Sequence, residues 1–326
     1  MLQIKSEWSG ETEQECLIIG MYDRTIERKG LFHACDSSLG GELGNLLKSG
    51  DIRTGKKEVT VIHTLGRIKT KRIVFIGLGK ENQITEESLK ESMGKAYRQA
   101  RELGVSEIAV DFDSFEGKDI NGGKVSCMMG EAFMLSLYAF EGYKQKQSKK
   151  KAEITRIHLY TKRDGQELQA LMNRGFIYGK GVNFARNLVN MPPNLLTATT
   201  LADYAKALAE KHQFEYEILF KEEMQQLGMG ALLAVNQGST EPPAMIVLKY
   251  QGRKEWEDVI GLVGKGVTYD TGGYSLKPKT GMVGMKTDMG GAASVPGAMD
   301  IIGELRPETN VVAVIASTDN MISGDA

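Results

Sequence analysis

The chain has 326 residues, a formal net charge of −1, 41% hydrophobic and 25% charged residues. That describes an ordinary globular protein long enough for two domains. The balanced charge gives no basic footprint for nucleic acid, and no apolar run approaches the ~18 residues that span a bilayer. Cys16, Cys35 and Cys127 are odd in number and widely spaced. They read as buried thiols in a reducing compartment, not as a disulfide framework. The first residues, Met1 to Glu7, lack the basic-then-apolar order of a secretory signal, so a cytoplasmic location is expected.

In chain order, apolar runs predict strands at 15–20, 59–62 and 72–77. A helix follows over 85–103 with Thr85 as its cap, then a strand at 107–110 and a helix closing over 130–140. This alternation predicts an α/β layer domain over residues 1–150. The run Lys144-Gln145-Lys146-Gln147-Ser148-Lys149-Lys150-Lys151 is basic and lacks aromatic residues. It reads as a solvated loop at a domain boundary. A strand at 154–160 and helical spacing over 166–190 follow, stopped by Pro192-Pro193. Residues 151–185 are thus a linker strand and a bridging helix, and 186–326 form the second domain.

There, Thr200-Leu201-Ala202-Asp203 resembles a capping box that opens a helix to Lys211. Residues 214–220 alternate as a half-buried strand, and a short helix ends at Leu227 before Gly228. Strands are predicted at 245–250, 259–263 and 311–315, with a helix over 288–305. The last strand is continuously apolar, as in a sheet covered on both faces.

The chemistry concentrates between Val263 and Ala292. Lys265, Asp270, Lys277 and Asp288 alternate among Gly264, Gly266, Gly272, Gly273, Gly290 and Gly291. Val263 reads as the end of a buried strand, and Gly264 and Gly266 as the turn leaving it, at the sheet edge where α/β proteins bind ligands. Two converging carboxylates repel unless a cation lies between them. A divalent metal with oxygen ligands satisfies both. A lysine joins such a shell only as the neutral amine; a protonated one polarises a carbonyl. Anion binding and a plain solvated loop stay open at this point. The nucleotide motifs fit poorly, because Lys265 is followed by Gly266 and not by Ser or Thr.

This stretch resembles the leucyl aminopeptidase (cytosol aminopeptidase) family of dinuclear metallo-exopeptidases, in the order and spacing of Lys265, Asp270, Lys277 and Asp288 and the glycines between them. Supporting similarity runs through Ala185-Arg186-Asn187-Leu188-Val189-Asn190, Pro193-Asn194-Leu195-Leu196-Thr197 and Gly228-Met229-Gly230-Ala231. The resemblance implies an α/β fold: an N-terminal, macro-like α/β domain joined by a long helix to an α/β catalytic domain with a mixed central sheet. It implies two divalent ions per complete subunit, Mn²⁺ or Zn²⁺, with Mg²⁺ or Co²⁺ as other occupants. Asp270 resembles the carboxylate that bridges the metals, and Lys265 and Asp288 resemble ligands of the more exchangeable one. Lys277 resembles the electrophilic lysine of the tetrahedral intermediate. Family members release N-terminal residues, leucine favourably, from peptides with a free N-terminus, and are usually homohexamers. No membrane or nucleic-acid partner is expected.

Three departures accompany the resemblance. The family's second signature, Asn-Thr-Asp-Ala-Glu-Gly-Arg, follows a segment like Asn320-Met321-Ile322-Ser323-Gly324 and is absent here. The catalytic domain is therefore expected to be incomplete, with Asp270 as the tighter metal's sole ligand. Pro296 stands inside the expected helix, where a proline costs roughly 3 kcal/mol. Ala198 stands where proline is common. An impaired member acting as an associating subunit is the alternative to a working enzyme. His33, His63, His158 and His212 lie far from the cluster in sequence and receive no role.

Overall fold

The computed structural model describes residues 2–23, 30–140, 142 and 153–324, so the basic run at 144–151 lies outside the described residues. Contacts divide the chain into two compact units, Met1–Gly179 and Lys180–Ala326.

The first unit is built on strands β1 (Leu2–Lys5), β2 (Leu17–Tyr22), β3 (Val59–His63), β4 (Arg72–Gly79), β5 (Glu107–Asp111) and β6 (Arg156–Tyr160). Their sheet order is β1-β6-β5-β2-β4-β3, parallel throughout except for β3 against β4. Its helices are α1 (Leu31–Ser38), α2 (Glu42–Ser49), α3 (Glu86–Glu102) and α4 (Gly122–Leu137). Strand β2 is buried at every position because alternate side chains serve two cores. Leu17, Ile19 and Met21 pack with Phe32 and Leu43. Ile18 and Tyr22 pack with Leu89, Met93 and Met129. A parallel strand covered on both faces has no polar side to alternate with.

Thr85 caps α3 as its sequence predicts, accepting from the Ser88 N–H. The strand expected in a linker is instead β6, paired between β1 and β5. Ile157 and Leu159 are buried there, and this burial draws the segment into the first sheet. Cys16 and Cys35 are buried and Cys127 is half-buried; none forms a disulfide. Burial pushes the Cys16 thiol up to about 12, consistent with a structural thiol.

Helix α5 (Gly165–Asn190), 26 residues long, crosses the division between the units. The second unit continues with α6 (Ala198–His212), β7 (Glu215–Leu219), α7 (Lys221–Gln226), α8 (Gly230–Asn236) and β8 (Ala244–Gln251). It closes with β9 (Val259–Asp270), α9 (Lys279–Met282), α10 (Gly290–Leu305) and β10 (Asn310–Asn320). The sheet order is β7-β8-β10-β9, with β10 antiparallel to β8 and parallel to β9. Leu201 and Ala205 of α6 and Met299 of α10 form one core with Leu248 and Ile315 of this mixed sheet.

The cap of α6 is Thr197, not Thr200: its hydroxyl accepts from the Thr200 N–H at 3.2 Å. The helix therefore opens one turn earlier than the sequence suggests. Helix α10 runs through Pro296, which is buried within it.

Candidate metal centre

The glycine cluster folds differently from its sequence reading. Val263 is not the end of a buried strand: it is 82% exposed, in the middle of β9, an edge strand of the sheet. Gly264 and Gly266 make no turn. A Cβ on Gly264 would lie 2.9 Å from the Gly291 carbonyl oxygen, and one on Gly266 would lie 2.8 Å from that of Ala316. These glycines let the start of α10 and the neighbouring β10 approach β9 closely, which any side chain would block.

The strand continues to Asp270, and its register decides which residues share a face. Lys265 pairs with Ala316 and Val267 with Thr318, but Asp270 pairs with Asn320. Three steps along β9 thus match two along β10, a β-bulge. Side chains alternate with period two, so without the bulge Lys265 and Asp270 would point to opposite faces. The extra residue gives Asp270 the parity of Lys265.

Beyond Asp270 the chain turns at Gly272 and Gly273, with φ of 88° and 60°. The Lys277 N–H donates to the Thr271 carbonyl at 2.9 Å, which folds the loop back. The Lys277 ammonium consequently pairs with Asp270 Oδ2. Lys265 reaches Asp288, pairing with its Oδ2 and donating to its main-chain oxygen at 3.1 Å. The structure thus joins the four sequence-predicted residues as two lysine–aspartate pairs. Among the described residues no hydrogen bond or ion pair links one pair to the other.

Asp270 is the most constrained of the four. Its Oδ1 accepts from the Gly272 N–H at 2.9 Å and from Asn320 Nδ2 at 2.8 Å. Partial burial pushes its carboxyl up, but Lys277, Gly272 and Asn320 outweigh burial and hold it at about 2. The carboxylate is therefore ionised throughout the neutral range. Its side chain keeps 19% exposure and that of Lys277 29%, so both remain reachable from solvent. A mainly apolar recess of about 450 Å³ is lined by Tyr269, Leu276, Met282 and Val283 together with Lys277 and Lys279.

Two carboxylates and a primary amine suit a divalent cation of the Mg²⁺, Mn²⁺ or Zn²⁺ type. The donors present fit part of a metal shell: among the described residues, no three His, Cys, Asp or Glu ligand atoms converge at this site. They do so at His212, Asp300 and Glu304, where Lys211 reaches both carboxylates, at 2.8 and 3.1 Å.

Asn320 is the residue that sequence reasoning missed as part of the site. Fifty positions separate it from Asp270, and only the parallel pairing of β9 with β10 brings them together. A polar side chain closing a long buried strand was the available signal.

The fold and this site define a class. Residues 183–326 match the description "Cytosol aminopeptidase family, catalytic domain", and residues 18–147 match that family's N-terminal domain. The chain belongs to the cytosol aminopeptidase family. A mutant of tomato leucine aminopeptidase superposes with a TM-score of 0.85 at 26% identity, over 99% of this chain and 63% of its own. The bottromycin maturation enzyme BotP has the same fold, with a TM-score of 0.77 at 24% identity, over 96% of this chain and 61% of its own. A second BotP structure, in complex with Mn, gives 0.78. The chain thus spans less than two thirds of the length of these structures.

Proposed function

We propose that the protein is a metal-dependent aminopeptidase releasing N-terminal residues, leucine favoured, from peptides with a free N-terminus. The observation that carries this reading is the Asp270 carboxylate, held ionised and partly exposed between Lys277 and Asn320. It lies within the stretch that matches the family's catalytic domain. Lys265, Asp270 and Asp288 would hold two divalent ions, Mn²⁺ or Zn²⁺. The Mn bound by BotP supports a divalent ion of this kind. When bound, such ions supply Lewis acidity toward the scissile carbonyl and lower the pKa of the attacking water.

The chain's own groups do the rest. Lys277 exchanges Asp270 Oδ2 for the substrate carbonyl and donates to its oxygen as negative charge develops there. Asp270 stays ionised through that exchange, because Gly272 and Asn320 still donate to it. The mainly apolar recess beside Lys277 accepts the side chain of the first residue, which supports a leucine preference. Family resemblance supports a homohexamer in the cytoplasm. Among the described residues no helix is long and apolar enough to cross a membrane.

A second reading is a non-catalytic subunit that associates with partners. The limited convergence of carboxylates at the centre favours it. Titrating the protein with Mn²⁺ in a calorimeter and measuring L-leucine amide hydrolysis separates the two. The enzyme reading expects metal uptake and hydrolysis, both lost in Asp270→Asn. Hydrolysis untouched by Asp270→Asn overturns the role of Asp270. A folded, oligomeric protein that takes up no divalent ion selects the second reading.

A further inference from the structure

We infer that Asn320 is a positioning residue for Asp270, presenting its carboxylate to the metal while leaving its charge unspent. The inference rests on the metal role proposed for Asp270. Two kinds of group hold that carboxylate. Lys277 brings a full positive charge to Oδ2 and so competes with any cation for it. Asn320 and the Gly272 N–H bring neutral dipoles to Oδ1. A neutral donor fixes the orientation of a carboxylate without cancelling its charge, which is the work of the outer hydrogen bonds around metal-ligating carboxylates.

Asn320 is itself built to hold one pose. Its carbonyl accepts from the Thr271 N–H at 3.0 Å and from Thr271 Oγ1 at 2.7 Å. These bonds tie the end of β10 to the residue following Asp270. A carboxylate can only accept, so the amide must turn Nδ2 toward Asp270. Its other end, Oδ1, lies where a Cβ on Gly273 would come within 2.8 Å. Glycine at 273 thus leaves room for the amide as well as meeting the φ of 60°. The bulge completes the arrangement by setting Asp270 opposite Asn320.

The test compares Asp270→Asn, Asn320→Leu and Thr271→Val, measuring Mn²⁺ affinity by calorimetry and the melting temperature of each metal-free protein. Leucine keeps the bulk of asparagine and loses the donor. Thr271→Val removes the hydroxyl that ties down the Asn320 main chain and keeps the amide. A positioning role expects Asn320→Leu to weaken Mn²⁺ binding about 10- to 100-fold. Its melting temperature should fall no further than that of Thr271→Val, which loses a hydroxyl bond at the same strand end. If Asp270→Asn weakens binding and Asn320→Leu does not, the inference is overturned while the metal reading stands. If Asp270→Asn also binds like the parent, the metal reading itself fails. Should Asn320→Leu not fold, Asn320→Ala carries the same expectation with less bulk at the strand end.

Discussion

Each unit of this protein ends a β-strand with an aspartate, and the two aspartates are held in opposite ways. Asp111 closes β5 in the first unit, and Asp270 closes β9 in the second. Asp111 is buried, with a second acid, Asp113, close by. Burial and Asp113 push its carboxyl up to about 7, against the main-chain N–H groups of Ser114 and Leu31. Asp270 has a lysine, an amide and an N–H group around it, and is held at about 2. The strand end thus supplies only the location. The partners decide whether the acid there is a proton store inside a core or a charge displayed to a ligand.

The largest effect that would break the comparison belongs to Asp111. Its folded value lies above the ordinary 3.8, so the protonated form is favoured in the folded state. The resulting stability is present in full below pH ~4 and is lost as pH rises toward 7. Between these limits the first unit should lose about 4 kcal/mol from this group. The chain has two tryptophans, Trp8 in the first unit and Trp256 in the second. Urea unfolding of a Trp256→Phe background, followed by fluorescence, therefore reads the first unit alone. Asp111→Asn should flatten the pH dependence over this window. A parent curve already flat there would mean that Asp111 titrates as an ordinary surface acid, and the contrast would dissolve.

Lys277 supplies the next largest effect. It is the cation that Asp270 has and Asp111 lacks, and its proposed second partner is the substrate carbonyl. Lys277→Met should lower kcat of L-leucine amide hydrolysis about 10²- to 10³-fold. Metal affinity should be kept or raised, because a competing charge leaves Asp270. A purely structural lysine would instead lower the melting temperature and leave kcat intact.

How much of this was legible in the sequence follows from what each feature depends on. Strands such as β2, β4 and β10 announce themselves through apolar runs, and α3 through its threonine cap, because these signals are local. The four charged residues were legible as a set, since glycines and alternating charge within one segment are unusual and match a family pattern. Four features were not legible. The bulge in β9 that turns Asp270 toward the side of Lys265 arises from pairing with β10, distant in sequence. Gly264 and Gly266 read as a turn because glycine signals both turning and close approach, and only the packed α10 distinguishes them. Asn320 shows only as a polar residue closing an apolar strand; its role depends on Asp270 lying opposite. β6 read as a linker because the basic run before it resembles a boundary, while its sheet partners β1 and β5 come far earlier.

The smallest effect sharpens the other side of the comparison. Asp270 is held below its ordinary 3.8, at about 2. A lowered carboxylate adds stability above pH ~4, and this stability is lost as pH falls from there toward 2. The sign is thus opposite to that of Asp111, and the window lies below that of Asp111. The expected size is about 2 kcal/mol, since the pairing is partly exposed. Following Trp256 in a Trp8→Phe background should show the second unit losing stability over this acid range. Asp270→Asn should remove most of that loss, and Asn320→Leu a smaller part of it, because the amide is one of three donors. Equal acid sensitivity in the parent and in Asp270→Asn would assign the loss to other carboxylates. Asp270 would then be an exposed acid that happens to lie near a lysine, and the difference between the two strand ends would reduce to burial alone.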